Sequence, residues 1–395
     1  MADTKLITTL DTTFNLLDQF ASSLNSLPPD GTTPPPASLS PLPLLSTCAA
    51  TLRAQTTKLS LLIITPPFTP TAISGILSSL NDAILPSLLT AALLLTPSTF
   101  TKAYSCETVS LTKATLRDLR DLAHLVEARS KDGQPKADPT SQLKNDVTAA
   151  TGKIWDDCDE LKKLADDGIA GFVVKKAEQY LDLIKDAVKE IEEWDPEDDD
   201  DDDDDDDDND EEHGFFIDEQ DTPPSLPKDL QETPPTSNPS SQPTQDLNNL
   251  KSAVLKILTR IPQSLHVVIA QRLKKGLPLS SSSSANPVNP KHLLILDTLL
   301  SRISQTSTCI DDVAERLYTH DALGAMLTAE KARAYVVEIM ESVGAGTSSR
   351  HAHRLVMQME RGLKKGGGRR VEETKEDRYI ERALEWIKSV GTTIP

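Results

Sequence analysis

The chain has 395 residues, enough for two or three domains, and a formal net charge of −20. Sixteen carboxylates and no Lys or Arg lie within residues 195–212, so the acidity is local and the remaining residues carry a net charge of only −4. Aromatic residues make up 4% of the chain. Because β-sandwiches are rich in aromatic and β-branched residues, this leucine-rich composition argues against them and favours helical bundles.

Apolar residues recur at helical spacing through the first 130 residues, and prolines separate the repeats. The spacing predicts a first helix with an apolar stripe from Leu6 to Leu27, and a second helix over residues 43–64. A third helix is predicted to begin at Pro70 and to kink at Pro86, and a fourth covers residues 100–128. No period-two pattern typical of strands interrupts this series.

The clearest helical signal covers residues 140–194. Two apolar stripes run through it in steps of three and four residues, the period of a helix with one buried face. The second stripe consists of Val173, Ala177, Tyr180, Ile184, Ala187, Ile191 and Trp194. Asp138 followed by Pro139 predicts the N-cap of the first helix, and Gly168 with Gly171 predicts a turn. The segment is therefore predicted to form an antiparallel helical hairpin.

The acidic run and the Pro-, Ser- and Thr-rich stretch after it divide the chain. Such a composition buries too little apolar surface to offset the entropy of ordering, so residues 195–245 are predicted to be disordered. Helical pattern resumes at residue 246, is interrupted at Pro262, and restarts at Pro290 after a serine run. Further helices are predicted over residues 329–343, 348–365 and 372–390.

The predicted fold class is all-α, with two antiparallel helical bundles of four to six helices each. The N-terminal bundle covers residues 1–194 and the C-terminal bundle covers residues 246–395. Residues 195–245 form the disordered acidic linker that joins them.

No motif in the chain has the spacing of a catalytic, phosphate-binding or metal site. Thr151-Gly152-Lys153 lacks the glycine spacing of a phosphate-binding loop, and Ile154 stands where a magnesium-binding hydroxyl would be. His351 and His353 point away from each other on a helix, so they cannot share a metal ion. We therefore predict that the protein is not an enzyme and has no cofactor or metal.

The cysteines and the apolar runs bear on the cellular compartment. Cys48, Cys106, Cys158 and Cys309 form no CxxC pair and fall in apolar helical patterns, which predicts buried free thiols in a reducing compartment. The first residues lack the basic start and apolar core of a signal peptide. The longest apolar run, residues 83–95, is too short to span a bilayer. We expect a cytoplasmic and nuclear protein without a membrane span.

Two segments resemble the cyclin-D-binding protein family, often called GCIP-like. The first reads WDDCDELKKLADDGIAGFVVKKAEQYLDLIKDAVKEIEEW from residue 155 and runs into the acidic stretch. The second reads LLILDTLLSRISQTSTCIDDVAERLY from residue 293 and ends in the Leu317-Tyr318 pair. The resemblance implies an all-helical protein of two bundles, distantly similar to vinculin- and catenin-type bundles. It also implies binding of cell-cycle and transcriptional regulators, with negative effects on proliferation.

Candidate partner-binding residues are placed on these segments and on a basic stretch near the C-terminus. They are Trp155, Asp156, Asp157, Asp311, Asp312, Lys364, Lys365, Arg369 and Arg370. Because no aromatic residues interleave with the basic ones, nucleic-acid binding is not favoured, and a nuclear-import patch is an alternative for that stretch. Thr222 and Thr233 each precede a proline, which makes them candidate phosphosites for a proline-directed kinase.

The sequence therefore favours a non-catalytic interaction or adaptor protein, resembling cyclin-D-binding regulators of cell-cycle progression and transcription. One alternative is an acidic, chaperone-like protein that binds basic proteins through residues 195–212. Another is a structural bundle of the vinculin or catenin kind. Nothing in the sequence indicates an oligomeric state.

Overall fold

The computed structural model describes residues 2–26, 40–131, 138–195, 242–275, 290–344 and 375–390. Within these ranges the chain is helical and has no strand, which confirms the predicted all-α class of helical bundles. Residues 196–241 of the predicted linker, the predicted helix over residues 348–365 and the two candidate phosphosites lie outside these ranges. The predicted linker end at residue 245 is wrong, because the helix that follows already begins at Gln242.

The N-terminal part contains six helices within the described ranges. They are α1 (Ala2–Asn25), α2 (Pro41–Ile64), α3 (Pro70–Ser79), α4 (Leu85–Leu94), α5 (Lys102–Lys131) and α6 (Ser141–Glu193). The part after the acidic run adds α7 (Gln242–Leu258), α8 (Arg260–Val268), α9 (Pro290–Tyr318), α10 (Ala322–Val343) and α11 (Lys375–Lys388).

Two prolines interrupt helices where the sequence predicts it. A π-helical turn, Leu80–Ile84, joins α3 to α4 immediately before Pro86. Proline lacks an N–H and its ring clashes with the carbonyl four residues earlier, so the wider turn accommodates it. The break between α7 and α8 at Thr259 likewise precedes Pro262. Both predicted interruptions are confirmed, although nothing in the sequence predicted the π-helical geometry.

The core of the N-terminal part forms where α2 and α5 pack against the first half of α6. The two helices α2 and α6 run antiparallel, since Thr151 donates a hydrogen bond to Ser60 at 2.9 Å while Ser46, near the other end of α2, donates to Asp166. The fully buried Tyr104 of α5 donates its hydroxyl proton to the carbonyl of Leu164 at 2.8 Å. Buried leucine and isoleucine stripes on all three helices fill the space between them.

A single residue, Gly168, breaks α6. Its φ of 60° and ψ of −167° lie in a region that is essentially restricted to glycine. Gly171 has helical geometry, but a Cβ atom there would lie 2.8 Å from the Cβ atom of Asp167. The predicted turn is therefore correctly located, but it is a break of one residue. Glycine at position 171 leaves room for the side chain of Asp167.

The two limbs of α6 have different neighbours. Residues 141–167 contact α2 and α5, whereas the second limb beyond Lys176 reaches the C-terminal part of the chain. There Lys274 pairs with Glu178 at 2.7 Å, and Lys251 donates to the carbonyl of Glu192 at 2.9 Å. Near the break, Glu160 and Lys163 of the first limb line the same cavity as Lys175 and Gln179 of the second, so the two limbs approach each other there, as in the predicted hairpin. The second limb joins α7, α8 and α9, so both helical parts share α6; their independent folding stays a prediction.

Two helix starts differ from the predicted ones. The predicted N-cap at Asp138 is wrong, because the hydroxyl of Thr140 accepts the hydrogen bond from the N–H of Leu143 at 3.2 Å. Helix α10 begins at Ala322, before the predicted residue 329. Its N-cap is Asp321, whose carboxylate accepts a hydrogen bond from the N–H of Gly324 at 2.9 Å. A threonine or aspartate at the correct offset supplies the cap in both cases.

The prediction that all four cysteines are buried is wrong for one of them. Cys48, Cys158 and Cys309 are buried free thiols, and burial raises the pKa of each. Cys106 is exposed on α5, because that turn of the helix faces a surface groove rather than the core.

Two helical stretches, Pro70–Leu94 and Asp246–Leu273, are long and apolar enough to cross a membrane by length and composition alone. In each, 44% of the most apolar window is buried inside the structure. Core helices of packed proteins pass the same test, so this is weak evidence for a span, and the absence of a membrane span stays a prediction.

Candidate functional site

The first group of predicted site residues lies where α6 packs against α2 and α5. The indole Nε1 of Trp155 donates a hydrogen bond to Thr57 at 3.1 Å, and the guanidinium of Arg53 lies 5.1 Å from the ring centre. Trp155 is half-buried, and both contacts use its side chain to join α6 to α2. Its neighbour Asp156 is exposed.

Asp157 lies in a buried acidic environment between α5 and α6. Its Oδ2 atom is inaccessible to solvent and has no hydrogen-bond partner among the described residues. Asp118 of α5 is 5% exposed and pairs with Arg117 at 2.9 Å. Burial first, and the negative charge of Asp118 second, raise the pKa of Asp157 to about 6. This arrangement costs stability when Asp157 is ionised, and it does not form an open binding surface.

The second group, Asp311 and Asp312, lies on α9. Asp311 is exposed, and its pKa is raised by partial burial and by the charges of Asp312 and Glu190. Asp311 therefore faces the second limb of α6, while the first predicted group faces α2 and α5. The structure does not bring the two groups together. The predicted basic residues lie outside the described ranges; these are Lys364, Lys365, Arg369 and Arg370.

A groove between the second limb of α6 and α9 is the site that the structure adds. We call it the α6–α9 groove. At its wide end, α5, α6 and α9 enclose a cavity of about 790 Å³. Its lining includes Cys106, Phe172, Lys176, Tyr180, Leu294 and Leu300. The side chain of Leu294 is 67% exposed there, which is unusual for a leucine beside a packed core.

The opposite end of the groove is an acidic and aromatic cleft of about 530 Å³. The rings of Trp194 and Tyr318 meet edge to face, with centroids 5.0 Å apart. The hydroxyl of Tyr318 donates a hydrogen bond to Glu190 at 3.2 Å. Asp186, Lys189 and Glu193 complete the lining. The two rings thus form an apolar wall among carboxylates.

The two ends belong to one surface because of helical periodicity. Phe172, Lys176, Leu183, Glu190 and Trp194 follow one another on the same face of the second limb. Leu183, which is 56% exposed, is on this face at a sequence position between the residues that line the two cavities. Along α9 the groove extends from residue 294 to residue 318, roughly 36 Å at 1.5 Å per residue.

Charge is distributed unevenly along the groove. At the wide end Lys176 pairs with Glu107 at 3.2 Å, and Asp297 accepts hydrogen bonds from the backbone of α5. At the other end the carboxylates outnumber the cations. The carboxylates there are Asp186, Glu190, Glu193 and Asp311. The cation beside them is Lys189, whose ammonium group pairs with Glu193 at 3.4 Å. The acidic run continues from this end at Asp195. The groove therefore has a mixed apolar and charged lining at one end, and carboxylates predominate among the described residues at the other.

Sequence reasoning missed this groove as a surface. Its only trace is that the predicted core stripe contains Tyr180, Ala187 and Trp194, which the structure leaves half-buried along the groove. In the part of the chain that the structure describes, no group of three or more His, Cys, Asp or Glu side chains is placed to hold a metal ion.

Comparison with known protein families identifies the N-terminal part of the chain. Residues 44–197 match the family model described as Grap2 and cyclin-D-interacting, N-terminal. The match begins within α2 and includes the whole of α6, and with it one wall of the groove. No curated protein matches the chain. The GCIP-like resemblance is confirmed over these residues, which are similar to the N-terminal domain of the Grap2 and cyclin-D-interacting family.

Proposed function

We propose that this protein is a non-catalytic adaptor that binds protein partners through the α6–α9 groove, and that a D-type cyclin is one of them. The observation that carries the proposal is the pair of leucines, Leu183 and Leu294, that stand more than half exposed along a preformed groove. The description of the matching family supports the choice of partner. In the same proposal the protein regulates cell-cycle progression and transcription, and acts in the cytoplasm and nucleus.

The shape of the groove suits a helix from a partner protein. An α-helix has a diameter of roughly 10–12 Å, and one of about 20 residues fits within the length of the groove. Such a helix places apolar side chains at i, i+3, i+4 and i+7 along one face. Leu294 and Leu183 would receive those side chains, because each offers apolar surface that its own helix leaves uncovered.

The proposal is tested by calorimetric titration of a purified D-type cyclin into the full chain. Leu183→Glu and Leu294→Glu place a charge in the groove without disturbing the core, since both side chains are exposed. We expect each variant to weaken binding at least tenfold. Leu327→Glu is the matched control, because Leu327 is 60% exposed on α10, away from the groove. No binding by the unmodified chain, or equal loss in all three variants, would contradict the proposal.

The acidic end of the groove favours one second candidate, a binder of basic proteins. There the local carboxylates adjoin the 16 of residues 195–212. Deletion of residues 195–212 separates the two candidates. An adaptor that uses the groove keeps its affinity for the D-type cyclin, whereas a binder that depends on the acidic run loses its affinity for a basic protein such as a histone.

A further inference from the structure

We infer that the α6–α9 groove selects its partner by charge as well as by shape: it takes an amphipathic helix with a cationic end, and that end lies against Trp194 and Tyr318. This inference rests on the proposed function, because it specifies the partner of the same groove. It follows from the uneven chemistry of the groove, whose wide end combines apolar surface with more cationic than anionic side chains and whose other end is acidic and aromatic.

The described lining of the wide end holds three cationic side chains, Lys102, Lys176 and Arg302, and two carboxylates, Glu107 and Asp297, so this end does not attract a further cation. The ammonium group of Lys176 already pairs with Glu107, and the carboxylate of Asp297 accepts two backbone hydrogen bonds. What remains there is the apolar surface of residues such as Leu294 and Tyr180. A partner therefore gains most at this end by burying apolar side chains, at roughly 25 cal/mol for each Å² removed from water.

The cleft at the other end offers a cation two kinds of attraction. A Lys or Arg side chain over an aromatic ring gains roughly 0.5–2 kcal/mol, and the rings of Trp194 and Tyr318 form one wall of the cleft. Asp186, Glu190 and Glu193 line the same cleft, and Lys189 is the basic side chain among the described residues there. Asp311 of α9 lies close enough to Glu190 for that charge to contribute, after burial and the charge of Asp312, to raising the pKa of Asp311. The local charge is therefore negative.

The structure already contains a cation bound at this end of α6. The ammonium group of Lys251 donates hydrogen bonds to the backbone carbonyls of Glu192 and Trp194. The C-terminal end of a helix carries a partial negative charge from its unpaired carbonyls, which favours such a contact. The chain itself thus places a lysine at the last turn of α6, immediately beside the cleft where we place the partner's cationic end.

The acidic run strengthens the same preference from outside the groove. It begins at Asp195, the residue after Trp194, and so it is tethered to the acidic end. At physiological salt, charges are screened over about 8 Å, so the run acts mainly on the approach of a cationic partner and on residues close to the cleft. The carboxylates inside the cleft act at contact distance and determine which end of the helix binds there.

Two synthetic helical peptides of 20 residues test the inference, with the full chain as the receptor. Both carry leucines at i, i+3, i+4 and i+7 and a fluorescein label. One has three lysines in its last turn and the other has three glutamates there. By fluorescence anisotropy at physiological salt, we expect the lysine peptide to bind at least tenfold more tightly. Equal binding of the two peptides would overturn the inference.

Variants locate the source of the preference. Glu190→Gln with Glu193→Gln removes two charges but keeps an acceptor for the Tyr318 hydroxyl. We expect this double variant to bring the two affinities within threefold of each other. Leu183→Glu should weaken both peptides together. The preference should survive deletion of residues 195–212; if it disappears with the deletion, the acidic run and not the groove is responsible, and the inference is wrong.

The outcomes of this experiment and of the cyclin titration are distinguishable. If the D-type cyclin binds through Leu183 and Leu294 while the peptides bind equally, the proposed function stands and the charge selection fails. If the lysine peptide is preferred but the D-type cyclin does not bind, the charge selection stands and the proposed partner is wrong.

Discussion

The carboxylate of Asp297 on α9 accepts a hydrogen bond from the backbone N–H of Lys102 at 2.8 Å, and so caps α5 from 195 residues away in the sequence. A second hydrogen bond, from the N–H of Ala103 at 3.3 Å, completes the cap. This contact joins the N-terminal and C-terminal helical parts at the wide end of the α6–α9 groove.

The first prediction concerns that cap. Replacing Asp297 with alanine removes the acceptor for two N–H groups at the start of α5, so we expect the free energy of unfolding to fall by about 0.5–2 kcal/mol. Urea denaturation followed by circular dichroism measures the change. Asp11→Ala, on an exposed face of α1, is the control and should change stability by less than about 0.5 kcal/mol. Equal effects of the two substitutions would contradict the assigned role.

The second prediction concerns the break in α6. Gly168→Ala forces a side chain into a backbone geometry that is essentially restricted to glycine, so we expect a loss of about 1–3 kcal/mol. Gly152→Ala is the matched control in the same helix, since a Cβ atom there meets nothing within 4 Å. Because alanine is the better helix former, the control should be neutral or more stable by up to about 1 kcal/mol. Thermal denaturation of both variants measures the two changes in stability. A Gly168→Ala variant as stable as the unmodified protein would show that this backbone geometry is not strained by a side chain.

The third prediction concerns pH. The pKa of Asp157 is about 6 in the folded chain, above its ordinary value of 3.8. The folded state therefore holds this proton more tightly than the unfolded state, so the contribution of Asp157 to stability decreases as pH rises from about 4 to about 6. Asp157→Asn stays neutral throughout and should be more stable than the unmodified protein above pH 6, by up to about 3 kcal/mol.

The same difference should become small near pH 4 and vanish only well below the ordinary value of 3.8, where Asp157 is protonated in both states. Urea denaturation at pH 4, 5, 6 and 7 measures the trend. Asp156→Asn is the control, because Asp156 is the exposed neighbour on the same turn of α6. A stability difference for Asp157→Asn that is constant across this range would show that its ionisation is not the cause.

The fourth prediction concerns the buried ion pair that attaches α11. Arg272 and Asp377 are 2.5 Å apart, and their side chains are 4% and 5% exposed. Asp377→Ala leaves a buried guanidinium without this partner, which should cost about 3–5 kcal/mol. The double variant with Arg272→Met removes the uncompensated charge and should recover much of that loss. Denaturation curves for the single and double variants test this, and a double variant less stable than Asp377→Ala would contradict it.

Periodicity predicted most of the helices and much of the core. Ile184 and Ile191 are buried as their spacing requires, because an apolar stripe must find another apolar surface. The helix starts at Thr140 and Asp321 were missed, since several residues near each start are chemically able to cap. Cap chemistry restricts the choice of residue but does not identify its position.

The groove could not be predicted, because it depends on contacts between distant parts of the chain. The sequence predicts that the second limb of α6 has an apolar stripe, but not that α9 packs beside it. Trp155 shows that a predicted partner-binding residue can also have a role within the fold, and its partner contact stays a prediction. A tryptophan in a family-like motif suggested a partner contact, yet the indole N–H donates to Thr57 within the chain. Neighbouring helices determine which face of an amphipathic helix remains exposed. The sequence of one helix therefore does not predict its exposed face.

Hydrogen–deuterium exchange of the full chain, alone and with a purified D-type cyclin, tests the central claim most directly. The account predicts slower exchange on binding in residues 172–194 and 294–318, the two walls of the α6–α9 groove. Residues 2–25 and 322–343 should keep their exchange rates, because α1 and α10 do not line the groove. Slowed exchange confined to α1–α4, with the walls of the groove unchanged, would contradict it.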